Sequence, residues 1–150
     1  MVSAVAVVDK SIVWLYVDFR KATEQDAARA FIYSRILELI EADKQFNLGS
    51  WADTINPAYA SEIENLARGP LFLLKQADSP AFDKEVAAMI LKERAGVVPY
   101  VDRILRYVSQ TKPLFVVIDN VDQIEDDRRQ GEIFAEAQAL SQKHKISFLR

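Results

Sequence analysis

Cysteine is absent from this 150-residue chain, and histidine occurs once, at His144. Disulfide frameworks and thiolate metal sites are thereby excluded, as is a zinc centre built on several histidines. Long apolar runs are missing too. Residues 2–8 (VSAVAVV) stop at Asp9 and Lys10, and no basic segment precedes them. Such a run is too short to cross a bilayer and lacks the flanks of a signal peptide, and nothing else approaches the roughly 18 apolar residues of a membrane span. Neither sign of charge dominates: 19 basic against 22 acidic residues leave a net charge of −3, which offers no electrostatic case for nucleic acid or an anionic membrane. The expectation is a cytoplasmic globular protein. Half of its residues are apolar, enough for a single domain with a core of its own.

The stretch that organises the rest is Pro113-Leu114-Phe115-Val116-Val117-Ile118-Asp119-Asn120-Val121-Asp122-Gln123. Five consecutive apolar residues run into an acid, an amide and a second acid. An unbroken apolar run between Pro113 and a polar cluster reads as a strand buried on both faces, hence parallel to its neighbours. Ligands in parallel sheets collect beyond the carboxyl ends of the strands, where Asp119 stands. Upstream, Ile12 to Phe19 is a second strand that also carries a terminal acid, Asp18, with Arg20 and Lys21 beyond. Residues 2–8 read either as an edge strand hairpinned onto it or as the remnant of something longer.

Between these strands the punctuation is helical. Thr23 is placed as an N-cap, and Ala27, Ala28, Phe31, Ile32, Ile36, Leu39 and Ile40 form one helical face running to about Asp43. Asn56-Pro57 opens a second helix that Gly69 closes; Leu71 to Leu74 is a short apolar piece; Ser79-Pro80 opens a helix that Gly96 stops; Pro99 starts another. Residues 44–111 thus read as a helical insertion. After the charged turn at 125–129, a helix with Ile133, Phe134, Ala137 and Leu140 inward leads to strand-like Ile146–Leu149 and Arg150. A strand–helix–strand unit of this kind closes as a right-handed parallel crossover.

Ile12–Arg20 (IVWLYVDFR), the helical insertion and Leu114–Gln123 (LFVVIDNVDQ), followed by a helix and a strand ending in Leu149-Arg150, resemble part of the bacterial P-loop ATPases of the STAND and AAA+ type. The resemblance implies an ATPase that hydrolyses Mg–ATP to drive a conformational or assembly switch. Asp119, at the end of a Walker B-like strand, would hold Mg²⁺. Asn120 or Asp122 would position the attacking water, and Arg150 would sense the nucleotide. The fold it implies is three-layer α/β, with about three parallel strands near 12–19, 114–119 and 146–150. Residues 2–8 would add an antiparallel edge strand, and 44–111 would be inserted, making an incomplete P-loop core.

The departure from that pattern is the phosphate cradle. The four glycines (Gly49, Gly69, Gly96 and Gly131) include none in a G-x-x-x-x-G-K-[ST] register, and residues 1–11 cannot hold a strand plus such a loop. The chain alone is therefore expected to bind ATP poorly and to be inactive. The competing reading is a non-catalytic interaction module that docks through an open sheet edge, by self-association or on a protein partner. A carboxylate metal site for phosphodiester chemistry is a third. Asp119 and Asp122 are spaced D-x-x-D, though, where the TOPRIM domain pairs D-x-D. His144 has no nucleophile partner, Arg128-Arg129 reads as a solvated turn, and Trp14 and Trp51 read as core or surface-seam aromatics.

Overall fold

A computed structural model describes residues 12–22, 27–121, 127–144 and 147–149. Pro and Gly set the helix boundaries largely where their backbone constraints require. Asn56-Pro57 begins helix α2 (Asn56–Arg68), and Gly69 follows its last residue. Leu71 leads into the short α3 (Phe72–Ala77). Helix α4 (Ser79–Ala95) carries Pro80 in its first turn, where a missing N–H costs nothing, and the Asp78 carboxylate caps it by accepting from the Ala81 N–H at 3.1 Å. Gly96 ends it, and α5 (Val98–Thr111) starts with Pro99 in its first turn. Helix α1 spans Ala28–Ala42, and α6 spans Asp127–His144.

Strands β1 (Val13–Asp18), β2 (Leu114–Asp119) and β3 (Ser147–Leu149) form one parallel sheet in the order β1-β2-β3. The register pairs Val13 with Leu114 and runs without a slip to Asp18 opposite Asp119. Only β1 and β2 reach six residues; β3 has three.

The expected three-layer α/β core is overturned. The protein is predominantly helical, and its small sheet is covered by described helices on one face only. Helices α1, α5 and α6 all pack against one another, while α1 lies on β1 and α6 on β3. Helices on opposite faces of a sheet would be held apart by it, so these three share a side. Burial along the strands agrees: Val13, Leu15 and Val17 of β1 and Leu114, Val116 and Ile118 of β2 are buried, whereas Trp14, Tyr16, Phe115 and Val117 are half-buried or exposed. The strand at Leu114–Asp119 is thus not buried on both faces. Its second face is apolar in composition, but no described element covers it.

Helix α5 is the hub. It touches α1, α2, α4 and α6, and buries Tyr100, Val101, Ile104, Leu105 and Val108. At its outer side Arg103 lies over the Tyr59 ring at 4.5 Å and pairs with Glu62 at 2.6 Å and Glu93 at 3.3 Å, tying α2, α4 and α5 together. Trp51, placed in the core or at a seam, begins a single π-helical turn (Trp51–Ile55) and is 51 % exposed. The proposed strand at 2–8 and the Thr23 cap lie outside the described residues.

Candidate functional site

Period-two alternation puts Trp14, Tyr16 and Asp18 on one face of β1, and the unslipped register sets Phe115, Val117 and Asp119 beside them on the same face of β2. At the start of this face the Trp14 and Phe115 rings stack with centroids 4.8 Å apart. At its end the two carboxylates stand side by side at the strand tips. Among the described residues these are the acids that the sequence singles out, and the fold brings them together.

Each carboxylate is already engaged. Asp18 accepts the Arg20 guanidinium through Nη2 at 2.7 Å and Nε at 3.0–3.1 Å, and also the Arg20 backbone N–H at 2.9 Å and the Asn120 side-chain amide at 2.7 Å. These bonds, those from Arg20 foremost, hold the Asp18 carboxyl well below the usual carboxylate range. The short 3₁₀ turn at Phe19–Lys21, which Asp18 caps, is what folds Arg20 back onto it. Asp119 accepts the Asn120 backbone N–H at 2.8 Å through Oδ1 and the Tyr16 hydroxyl through Oδ2. The bond to Asp119 raises the Tyr16 phenol above its ordinary value. Asn120 adopts φ 65°, a left-handed conformation that asparagine tolerates better than most residues, and this aims its amide across to β1.

Asp119 and Asn120 are therefore in one cluster, whereas Asp122 and Arg150 lie outside the described residues. Sequence reasoning missed Tyr16. The signal was present: Tyr16 is two residues before Asp18 and so shares its face. Tested against Mg²⁺, the donor set does not fit. Magnesium demands near-octahedral oxygen ligands. Here Asp18 is neutralised by a guanidinium, Asp119 is bonded through both oxygens, and the described residues contain no cluster of three or more His, Cys, Asp or Glu side chains able to hold a metal.

The other end of β1 is different in kind. Four consecutive residues, Ile12 to Leu15, line one wall of a groove of about 320 Å³; Leu39, Ala42, Phe46 and Leu48 make the other, with polar atoms from Asp43 and Gln45. Consecutive strand residues line a groove only when it follows the strand's edge. The edge concerned is the outer one, since β2 occupies the other. The opposite wall is held by Asp43, whose carboxylate accepts the backbone N–H groups of Gln45, Phe46 and Leu48 at 3.0–3.3 Å. The Trp14 indole Nε1 is buried and has no hydrogen-bond partner. No described helix is long and apolar enough to cross a membrane. Comparison with family models, with curated proteins and with solved structures finds no match.

Proposed function

We propose that this protein is a non-catalytic interaction module that takes an extended polypeptide segment along the outer edge of β1. The observation that carries this reading is the groove beside Ile12–Leu15: a strand edge with no described strand on it, faced by Leu39, Ala42, Phe46 and Leu48 with Asp43 and Gln45 among them. An incoming strand gains main-chain hydrogen bonds from such an edge and specificity from the side-chain wall. The occupant we favour is a second copy of the chain. An antiparallel pairing of two β1 edges is self-complementary about a two-fold axis, and Val13–Val17 carries none of the lysines or prolines that blunt an edge. We place the protein in the cytoplasm, in keeping with its cysteine-free, evenly charged composition.

Sedimentation velocity over a range of concentrations tests this, with Ala42→Arg as the perturbed form. Ala42 is exposed at the end of α1 and lines the groove, so the longer side chain fills the groove without touching the core. Concentration-dependent dimerisation that Ala42→Arg abolishes is the expected result. A chain that stays monomeric throughout, or a dimer indifferent to Ala42→Arg, overturns the reading.

The ATPase resemblance supplies a second reading. In it the protein would bind Mg–ATP with a phosphate cradle supplied from elsewhere, and Asp119 would have to give up the Tyr16 hydroxyl before it could meet the metal. What supports it is the placement of Asp18 and Asp119 in register at the carboxyl ends of adjacent parallel strands. Calorimetric titration with Mg–ATP, repeated on Asp119→Asn, decides it: micromolar binding lost in the variant would establish a nucleotide site, and absent or millimolar binding indifferent to the substitution would dismiss it.

A further inference from the structure

We infer that Tyr16, Asp18, Arg20, Asp119 and Asn120 form a closed clasp that fastens the tip of β1 to the tip of β2 and, by engaging both carboxylates, keeps a divalent cation from binding there. Two bonds cross between the strands: Asn120 Nδ2 to Asp18 Oδ1 at 2.7 Å, and the Tyr16 hydroxyl to Asp119 Oδ2. Bonds within each strand tip preorganise the donors. Arg20 grips Asp18 through its guanidinium Nε and Nη2 and its own backbone N–H, and Asp119 Oδ1 holds the Asn120 N–H at 2.8 Å. The left-handed backbone at Asn120 has a cost, and the bond its side chain makes to Asp18 offsets it. An ionised carboxylate offers about four lone-pair sites. Asp18 receives four N–H donors, one of them shared between its two oxygens, so an incoming metal would have to displace a partner. The Asp18 carboxylate that it bonds, with Asp119 nearby, holds the Arg20 guanidinium above its ordinary value.

The role follows from the one-sided sheet. Parallel strands β1 and β2 are joined by a long helical segment rather than a tight turn, and on the open face no described element presses them together. Side-chain bonds across the tips supply what a covering layer would otherwise supply. The clasp lies at the opposite end of β1 from the groove, so its behaviour does not depend on docking there.

The test is thermal unfolding of the full chain and of Asp18→Asn, Tyr16→Phe and Asp119→Asn, each with and without millimolar MgCl₂. Asp18→Asn keeps the shape but loses the charge that Arg20 and Asn120 address. The expected results are a midpoint several degrees lower for Asp18→Asn, a smaller drop for Tyr16→Phe, and no effect of MgCl₂ on the parent chain. If Asp18→Asn does not fold, Arg20→Gln reads the same contact from its exposed side. A midpoint unchanged on breaking the Asp18–Arg20 contact overturns the clasp. So does a midpoint that MgCl₂ raises in the parent chain but not in Asp119→Asn.

Discussion

If the helical layer and not the sheet organises this protein, its costliest single truncations fall on α5. Ile104 is fully buried at the middle of that helix, which touches α1, α2, α4 and α6. Ile104→Ala removes three methyl or methylene groups, about 2.4 kcal/mol of transfer free energy at about 0.8 kcal/mol each. Packing from several helices prevents collapse into the space, and the residual cavity raises the cost to about 3–4 kcal/mol. Val116→Ala, at an equally buried position of the central strand, removes two groups and leaves a smaller hole, for about 2 kcal/mol. For a domain of this size the Ile104→Ala midpoint should fall by about 6–16 °C. Urea unfolding followed by helical circular dichroism measures both variants on one scale. A loss below about 1 kcal/mol at Ile104, or a Val116 cost exceeding it, would refute the argument that α5 is the hub.

The Asp18 carboxyl lies below its unfolded value of about 3.9, held there first by Arg20. Its contribution is therefore complete above that value and disappears as pH falls through the lower folded one. The parent chain should lose more stability than Asp18→Asn between about pH 5 and pH 2. Equal acid sensitivity in urea titrations would count against the Arg20 contact. Val97 sits at φ 62°, ψ −65°, with the Val98 N–H bonded to the Gly96 carbonyl at 2.8 Å, the strained form of the γ-turn. Because the strain relieved, about 1–3 kcal/mol, matches or exceeds the half-buried side chain lost, Val97→Gly should unfold within about 1 kcal/mol of the parent or above it. A loss beyond about 2 kcal/mol in the same assay would mean that the side chain outweighs the strain. Strand pairing over Ile12–Leu15 spans only about 13 Å, so the interface should fall short of the roughly 1,200 Å² of stable complexes and dissociate in the micromolar range. A nanomolar dimer by sedimentation would instead implicate the Trp14, Tyr16 and Phe115 face.

Local signals carried much of the architecture. The acids that end Val13–Asp18 and Leu114–Asp119 mark the strand tips, and the Pro and Gly around α2, α4 and α5 fall at helix boundaries because those residues act through their own backbone. The layering was not local. Leu114–Ile118 is apolar at every position, so its composition could not distinguish the helix-covered Val116 from Val117 on the open face; only the shared side of α1, α5 and α6 settles that. Asp119 and Asn120 stood out as residue types, but their bonding depends on Tyr16 and Asp18, about a hundred positions away, and on a register no spacing rule specifies. The groove was equally hidden, because its far wall belongs to residues 39–48, placed beside β1 by the packing of α1 and the Asp43 turn.

The two ends of β1 thus answer the same difficulty in opposite ways. A strand at the edge of a small sheet, covered by described helices on one face, leaves an edge and an apolar face that no other described element covers. At the carboxyl end, polar side chains close the problem internally: Asp18 turns the chain into the Phe19–Lys21 helix turn, which stops an added strand from running on, and its partners bind the tip to β2. At the amino end no such bond from β1 to β2 is made by a side chain among the described residues. Ile12 to Leu15 instead face Leu39, Ala42, Phe46 and Leu48, with Asp43 and Gln45, across a groove of about 320 Å³. Among the described residues the tip of β1 is bonded while its outer edge carries no strand, which is why the proposal rests on the groove rather than on the carboxylates.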